Sequence, residues 1–183
     1  VHEQGGEFVL SNAPVAMRMG KINELAEKCG TILVPADATS MEDLGKLFDT
    51  ATDRFGKLDF VLHSIGMSPN VRKNKSYTDL NHDWFLKTLD ISGLSFHKVL
   101  QTAYKQDAIS EWGSVLGLTY IAAQRVFPDY NDMADNKSYL ESIARSFGYH
   151  YGQKKNVRIN TISQSPTMTT AGSGVKGFNE FIN

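Results

Sequence analysis

Short apolar runs alternate with longer amphipathic segments along the whole chain. The runs are nearly continuous in Val, Ile and Leu, which is typical of strands buried on both faces of a parallel sheet. Right-handed helical crossovers join such strands, so the order of elements predicts an α/β fold with a doubly wound, Rossmann-like parallel sheet. The predicted strands are Phe8–Leu10, Thr31–Val34, Leu58–Leu62, Ser114–Leu118 and Val157–Ile162.

Four helices are predicted between these strands. Gly30 ends the first helix, and Ser40 with Asp43 three residues later resembles a capping box that begins the second. Apolar residues recur at helical spacing in these segments. The predicted helices are Met17–Cys29, Ser40–Gly56, Trp84–Tyr104 and Tyr130–Tyr151.

Composition narrows the class of function. The 183 residues are 41% hydrophobic, enough for one buried core, and we expect a single domain over residues 1–183. With 19 basic and 20 acidic residues, the chain has no global field that would attract nucleic acid or an anionic membrane. No apolar run approaches transmembrane length. The single cysteine, Cys29, excludes an internal disulfide and fits the reducing cytoplasm.

Small and polar residues follow the predicted strands, where ligands of open α/β sheets bind. Each of these strand ends, taken singly, is also explained by ordinary turn chemistry, so the hypothesis depends on their occurring together. Five consecutive polar strand ends favour a dinucleotide that lies along the edge of the sheet. The strand ends are Ser11-Asn12, residues 35–38, residues 63–66, Thr119-Tyr120 and residues 163–167.

Tyr130 and Lys137 lie seven positions apart, and Tyr120 closes the apolar strand before them. On one helix the first two side chains would share a face, roughly 10 Å apart along the axis. A phenol can donate a hydrogen bond to a developing oxyanion, and a nearby ammonium can hold a cofactor. A packed tyrosine and a solvated lysine are the alternative, because such pairs are common on helices.

Several segments resemble the enoyl-acyl carrier protein reductases of bacterial fatty-acid synthesis, a branch of the short-chain dehydrogenase/reductase superfamily. The Tyr-x6-Lys spacing of Tyr130 and Lys137, with Met133 between them, is this branch's own, whereas ordinary members of the superfamily have Tyr-x3-Lys. The resemblance covers essentially the whole chain, and residues 68–70 and 164–169 are similar to the Bacteroidetes form. The resembling segments are Leu62–Asn70, Thr119-Tyr120, Tyr130–Lys137 and Val157–Ser163.

The resemblance implies an NADH-dependent oxidoreductase that acts on an enoyl thioester carried by acyl carrier protein, in a homotetramer without a metal. Tyr130 would stabilise the enolate, Tyr120 would line the substrate side, and Lys137 would hold the ribose hydroxyls while its charge assists the tyrosine. The other implied cofactor contacts are Asn12, Asp37, Ala38, Ser64, Ile65, Gly66, Thr119, Pro166, Thr167 and Thr169. The implied substrate contacts are Met67, Ser68, Met133 and Phe178, together with the two tyrosines.

Cofactor choice depends on the residues after the strand that begins at Phe8. An arginine there accepts a 2′-phosphate and an acid refuses it. The chain offers Asn12-Ala13-Pro14 instead, and the nearest cation, Arg18, belongs to the following helix. Neutral residues at this point favour NADH over NADPH.

The chain departs from the family at both ends. It lacks the opening strand and the glycine-rich loop that cradles a pyrophosphate at a helix N-terminus. Residues 1–6 are interpreted as the last turn of a helix with its glycine stop, and residues 178–183 end where the family begins a substrate-covering helix. We therefore expect a domain that is incomplete at both ends, and a 183-residue product that is poorly soluble and does not bind NADH.

Two other functions compete with this interpretation, and the sequence argues against the first of them. A ketoacyl reductase or related dehydrogenase requires Tyr-x3-Lys and a serine about a dozen residues before the tyrosine, where this chain has Gly117 and Leu118. Tyr151 and Lys155 do have that spacing, but they lie where a helix ends, on the wrong side of the sheet. A non-catalytic nucleotide-binding or scaffold protein is the second alternative. Oxidation of NADH in the presence of crotonyl thioester distinguishes an enzyme from a scaffold.

Overall fold

The computed structural model describes residues 1–18 and 20–164 and divides the chain into two compact units. One unit comprises Val1–Leu58 and Lys98–Ser110, and the other comprises Asp59–His97 and the chain from Glu111 onward. The strands are β1 (Val9–Asn12), β2 (Ile32–Pro35), β3 (Leu58–His63), β4 (Ile109–Thr119) and β5 (Arg158–Ser163). The α-helices are α1 (Pro14–Met17), α2 (Lys21–Cys29), α3 (Met41–Phe55), α4 (Pro69–Arg72), α5 (His82–Thr88), α6 (Ser95–Lys105) and α7 (Asp132–Lys155).

The first unit contains the parallel pair β1 and β2, in a register that places Val9 opposite Ile32 and Asn12 opposite Pro35. The predicted cap at Ser40 is confirmed, because the Asp43 backbone N–H donates to Ser40 Oγ at 3.1 Å. Helix α3 then presents an apolar face to the core. Leu44, Phe48 and Ala51 are buried there.

The second unit is built on a three-stranded sheet of order β3-β4-β5. Strands β4 and β5 run parallel from the pair Ser114–Arg158 to the pair Thr119–Ser163, and α7 packs against β5. Strand β4 and α7 pack closely at Gly117, since a Cβ there would lie 3.1 Å from both Leu140 Cδ2 and Phe96 Cζ. This close packing positions α7 directly over the sheet.

The predicted helix Trp84–Tyr104 is interrupted in its middle. Helices α5 and α6 are joined by a π-helical segment, Leu89–Leu94, a geometry that is frequent at functional sites. Gly93 in this segment approaches α7 closely, because a Cβ there would lie 3.0 Å from Tyr139 Cδ1 and 3.2 Å from Asn136 Oδ1. The segment also brings the buried Ser92 to the loop after β3.

The alternation of strands and helices and the parallel pairing are confirmed, and the predicted strands differ from the observed ones only at their ends. Two helix predictions were wrong at their beginnings. The first continuous helix begins at Lys21, because Gly20 adopts a φ of 79° that breaks the segment after α1. The last helix begins at Asp132 and includes neither Tyr130 nor Asn131.

Two further features bear on the sequence interpretation. Tyr151 is buried beside Phe147 in α7, and this helix ends at Lys155, so the second Tyr-x3-Lys pair lies at the end of a helix, as predicted. Among the described residues, no helix is both long enough and apolar enough to span a membrane. The single domain expected over residues 1–183 stays a prediction.

Candidate active site

Three segments meet in the second unit: the loop after β3, the end of β4 and the approach to α7. Tyr120, at the end of β4, and Tyr130, on the approach to α7, lie together, with their ring centroids 4.8 Å apart. The loop joins them through Gly66, where a Cβ would lie 3.2 Å from Met133 Cε and 3.9 Å from Lys137 Nζ. The structure thus brings together most of the predicted catalytic and substrate residues of this unit.

Tyr130 does not share a regular helix with Lys137, which corrects the expected geometry. It ends a short 3-10 helix, Pro128–Tyr130, and Asn131 follows with a φ of 56° before α7 begins. Residues other than glycine rarely adopt this positive φ, and the Asn131 side-chain amide donates to the Lys75 carbonyl. The tyrosine is therefore held on a turn, while the lysine projects from the second turn of the helix.

Tyr130 lies in an aromatic cluster with Tyr120 and Phe127. The Tyr120 ring lies 5.3 Å from that of Phe127 and 4.8 Å from that of Tyr130, and both pairs are tilted. Burial, and then the neighbouring Tyr120, raise the pKa of Tyr130 to about 12. Burial also raises the pKa of Tyr120. Tyr130 is therefore a protonated hydrogen-bond donor at neutral pH. That the charge of Lys137 assists this tyrosine stays a prediction.

Lys137 is a buried cation. Its side chain is only 6% exposed, and Nζ donates to the Leu118 carbonyl at 2.6 Å. Burial lowers the pKa of this ammonium to about 8. Within residues 1–18 and 20–164, one hydrogen bond uses one of the three ammonium protons, so two donors remain for a ligand. Gly66 lies beside Nζ, and an ammonium with uncommitted donors fits the ribose hydroxyls of a dinucleotide.

The predicted residues of the loop after β3 differ in what they offer a ligand. Ser64 is exposed, and Ile65, Gly66 and Met67 are half-buried. Ser68 is buried, and its hydroxyl caps α4 by accepting the Val71 N–H at 3.0 Å. Ser68 therefore acts on the geometry of the loop and does not present its side chain to a ligand.

Thr119 also uses its side chain within the protein. It is buried, and its hydroxyl donates to Glu141 Oε1 at 2.8 Å, on the α7 side of β4. Met133 is buried against the space above Gly66. In this unit Tyr120, Tyr130, Lys137, Met133 and the backbone near Gly66 thus form the surface that a ligand can meet.

His63 closes β3 as a buried, neutral imidazole. Ser95 Oγ donates to the Ile91 carbonyl at 2.6 Å, so His63 Nε2, at 2.8 Å from the same oxygen, must carry the proton of that contact. Burial, and then the charge of Lys137, lower the pKa of His63 to about 3. Its Nδ1 has no hydrogen-bond partner in the described part of the chain.

Sequence reasoning missed a buried acid beside the tyrosine. Asp132 begins α7, is fully buried, and accepts a hydrogen bond from Ser68 Oγ at 2.6 Å and one from Asn70 Nδ2 at 2.9 Å. An acidic residue in the first turn of a helix is usually solvated, so its position alone gave no sign of this role. The donors are more than 60 residues away in sequence.

The cofactor residues predicted at the ends of β1 and β2 lie in the first unit. Asn12 is exposed, and its carbonyl accepts the Ala36 N–H at 3.0 Å, which places the two strand ends side by side. Asp37 Oδ1 accepts hydrogen bonds from the Thr39 N–H and hydroxyl, both at 2.8 Å. Asp37 Oδ2 accepts none from the described residues, so it remains available to an adenine. Ala38 is half-buried.

Pro166, Thr167, Thr169 and Phe178 lie outside the described residues. Their predicted contacts with the carboxamide and the acyl chain stay predictions.

Comparisons with known proteins agree with this geometry. A family model described as enoyl-(acyl carrier protein) reductase matches residues 1–183. The chain is 37% identical over 172 residues to enoyl-[acyl-carrier-protein] reductase [NADH] 2 of Rhizobium meliloti, covering 94% of this chain and 63% of that protein.

Solved structures show the same likeness. A FabI–NADH complex from Alistipes finegoldii matches with a TM-score of 0.95 and 64% identity, over 99% of this chain and 64% of that one. The enoyl-[acyl-carrier-protein] reductase (NADH) of Aquifex aeolicus matches with a TM-score of 0.87 and 28% identity, over 99% and 70%. The chain thus spans less than two thirds of the length of the first two of these relatives. The chain belongs to the enoyl-(acyl carrier protein) reductase family.

Proposed function

We propose that the protein containing this chain is an NADH-dependent enoyl-acyl carrier protein reductase of type II fatty-acid synthesis. Hydride passes to the β-carbon of a trans-2-enoyl thioester, and a proton then adds to the α-carbon, which yields the saturated thioester. The observation that carries the proposal is a half-buried, protonated tyrosine in one segment with a buried ammonium that keeps uncommitted donors. Family membership and relatives named for NADH and for enoyl-acyl carrier protein reduction support it.

Lys137 and the loop after β3 are proposed to hold the cofactor. Bound NADH supplies the hydride, and the protein supplies position and electrostatics. The two uncommitted ammonium protons of Lys137 donate to the ribose hydroxyls, and the backbone of Gly66 lies beside them. The other proposed contacts are Ser64 and Ile65 along the nicotinamide ribose, Thr119 through its backbone, Asp37 and Ala38 at the adenine, and Pro166, Thr167 and Thr169 at the carboxamide.

Tyr130 is proposed to donate a hydrogen bond to the thioester oxygen as negative charge builds on it. A donor that is already fixed and partly removed from water stabilises an oxyanion at no cost of reorganisation. The pKa of about 12 keeps its proton in place throughout the assay range. Tyr130 therefore acts as a hydrogen-bond donor and not as a phenolate base.

Tyr120 is proposed to line the substrate side, because its ring contacts Tyr130 and is itself partly exposed. Met67, Met133 and Phe178 are proposed as apolar contacts of the acyl chain, and Ser68 as an indirect one. Asn12, which is neutral and exposed at the end of β1, supports a preference for NADH over NADPH. We also propose a cytoplasmic location, which the single free cysteine supports. A homotetramer is proposed as well, and the family resemblance supports it.

The test is the oxidation of NADH by the protein encoded by the complete gene, with crotonyl thioester as substrate and absorbance at 340 nm as the readout. Tyr130→Phe should lower kcat roughly 100-fold or more, because it removes the oxyanion donor. The exposed Tyr149→Phe should leave kcat unchanged. No thioester-dependent oxidation of NADH by the wild type would overturn the proposed function.

Lys137→Ala separates cofactor binding from catalysis. It should raise the dissociation constant for NADH, measured by fluorescence titration, because the ribose hydroxyls lose their donors. Wild-type affinity for NADH in this variant would contradict the role proposed for Lys137. Wild-type turnover in Tyr130→Phe would transfer the donor role to Tyr120.

A further inference from the structure

Asp132 joins three segments of the second unit through one buried carboxylate. Oδ1 accepts from Ser68 Oγ at 2.6 Å, and Oδ2 accepts from Asn70 Nδ2 at 2.9 Å. Thr88 Oγ1 lies 2.9 Å from Oδ2, although its single proton is shared with the Trp84 carbonyl at 2.8 Å. The loop after β3, α5 and the start of α7 are thus tied at a single point.

The carboxylate is costly to bury, and its surroundings explain why it is tolerated. No cation lies within ion-pair distance of Asp132 among the described residues. Three polar donors and the N-terminus of the long helix α7 stabilise the negative charge instead. A neutral side chain could fill this space without the cost of a buried charge. The presence of an acid therefore indicates that its hydrogen bonds are needed to hold the three segments in place.

The residues on either side of this point are those proposed to meet the ligands. Tyr130 precedes Asp132 by two residues, on the turn whose Asn131 has a φ of 56°. Met67, on the other side, precedes Ser68, and its backbone N–H and carbonyl are both held by Ser92 Oγ at 2.9 and 3.0 Å. The hydrogen bond from Ser68 to Asp132 therefore connects the substrate loop directly to the turn that carries Tyr130.

We propose that Asp132 is a positioning residue for hydride transfer, one that fixes the Gly66–Ser68 loop relative to Tyr130. The inference rests on the proposed function and adds to it a residue that touches neither cofactor nor substrate. If the loop shifted relative to Tyr130, the thioester oxygen would no longer lie within hydrogen-bond distance of the phenol. Misplacements of about 1 Å can cost on the order of 100-fold in rate. Asp132 thus affects turnover through the loop, and binding of NADH only weakly.

Asp132→Asn is the sharpest variant, because it keeps the size of the side chain. Its amide nitrogen would face the Asn70 amide or the Ser68 hydroxyl, two groups that donate to the present carboxylate. We expect kcat per NADH-binding site, with sites counted by fluorescence titration, to fall roughly 10- to 100-fold. The dissociation constant for NADH should change less than about threefold.

Hydrogen exchange tests the tether without activity. In Asp132→Asn, amides of residues 66–72 should exchange faster than in the wild type, including the Val71 amide that bonds to Ser68. Amides of α3, in the other unit, should keep their wild-type rates. The matched control is Tyr77→Phe, which removes an exposed hydrogen bond of 3.2 Å to Asp135 of α7 and should change neither readout.

The outcomes separate the two proposals. Wild-type kcat per site in Asp132→Asn, or unchanged exchange in residues 66–72, overturns the positioning role. Loss of activity that matches the loss of NADH sites indicates a merely structural role and overturns it as well. If the wild type binds no NADH or reduces no enoyl thioester, the proposed function fails, while exchange still decides whether Asp132 fixes the loop.

Discussion

The loops that follow β2 and β3 are both proposed to hold the cofactor, but they are built differently. After β2, the Asp37 side chain accepts hydrogen bonds, among the described residues, only from within its own turn, although one longer bond also reaches this loop, from Lys98 Nζ to the Thr39 carbonyl at 2.8 Å. Asp37 accepts from Thr39, and the Asp37 N–H donates to Asp43 Oδ2 at 2.9 Å, six residues away. This loop is therefore mostly a local turn, and it leads into the capped α3.

The loop after β3 depends on distant parts of the chain. Met67 is held by Ser92, 25 residues away, and Ser68 by Asp132, 64 residues away. Gly66 packs closely against Met133, which lies in α7 like Asp132. The geometry of this loop therefore exists only once α5, the π-helical segment and α7 are packed.

The difference between the two loops matches the two roles proposed for them. A loop that is proposed to bind the adenine needs only a stable local shape. The loop proposed to align a reacting carbon with Tyr130 must hold its position against another element, and contacts from that element supply this. We expect mutations of the long-range contacts to cost more stability than mutations of the local ones. The largest and the smallest of four predictions test this contrast, and the two between them concern buried titratable groups of the second unit.

The largest effect is expected from Ser92→Ala. Its hydroxyl accepts from the Met67 N–H and donates to the Met67 carbonyl, and the residue is fully buried. Removal leaves two backbone groups of a half-buried loop without partners, which should lower the free energy of unfolding by about 3 kcal/mol. Denaturant unfolding measures the change. Ser146→Ala, on the exposed face of α7, is the control and should cost less than about 0.5 kcal/mol.

The same contrast explains what the sequence could predict. The cap at Ser40 and the strand ends follow from local patterns, so they were found from short windows of sequence. The start of α7 was missed because Asn131 has a positive φ that breaks the helix. A hydrogen bond from the Asn131 amide to the carbonyl of Lys75, which is distant in sequence, stabilises this conformation.

The candidate site divides in the same way. Tyr130 and Lys137 could be identified by their spacing, because the family resemblance attaches a role to that spacing. Asp132 could not be identified, because burial and two distant donors distinguish it from an ordinary acidic residue at a helix start. The internal use of Ser68 and Thr119 was hidden for the same reason, since their partners lie 64 and 22 residues away.

The second prediction concerns the buried ammonium of Lys137, which lowers the stability of the folded protein. The folded pKa of Lys137, about 8, lies below the ordinary 10.5, and the shift corresponds to about 3 kcal/mol. Lys137→Met removes this cost but leaves the Leu118 carbonyl without its donor, a loss of about 1 kcal/mol. We expect a net gain of roughly 2 kcal/mol at pH 7 in the absence of cofactor.

The pH dependence of this gain has a definite sign. Below pH 8 both folded and unfolded wild type carry the charge, so the cost is complete. As the pH rises from 8 to 10.5 the folded lysine loses its proton first, wild-type stability rises, and the gap to Lys137→Met should close. Lys87→Met, at an exposed lysine of α5, should show no such dependence. A gap that widens above pH 8 would contradict the assignment.

His63 gives a smaller effect on the acid side. Its pKa in the folded chain, about 3, lies below the ordinary 6.5, so the unfolded state binds a proton first as the pH falls. Wild-type stability should therefore fall below pH 6.5, by about 1 kcal/mol at pH 5.5. His63→Asn retains a donor for Ser95 Oγ and should lack this part of the loss. Unfolding curves of both proteins at pH 7 and 5.5 measure the difference, and parallel losses would show that His63 is not its source.

Asp37→Ala should have the smallest effect, because it touches only the local loop. It removes the acceptor of the Thr39 N–H and hydroxyl, yet both donors lie near the surface, where water can replace it. The expected cost is about 0.5 to 1 kcal/mol. Asp37→Asn keeps an oxygen at the Oδ1 position and should recover most of it. Hydrogen exchange should change only near residues 36–43. If Asp37→Ala instead cost as much as Ser92→Ala, the loop after β2 would depend on packing beyond its own turn, and the contrast between the two loops would be wrong.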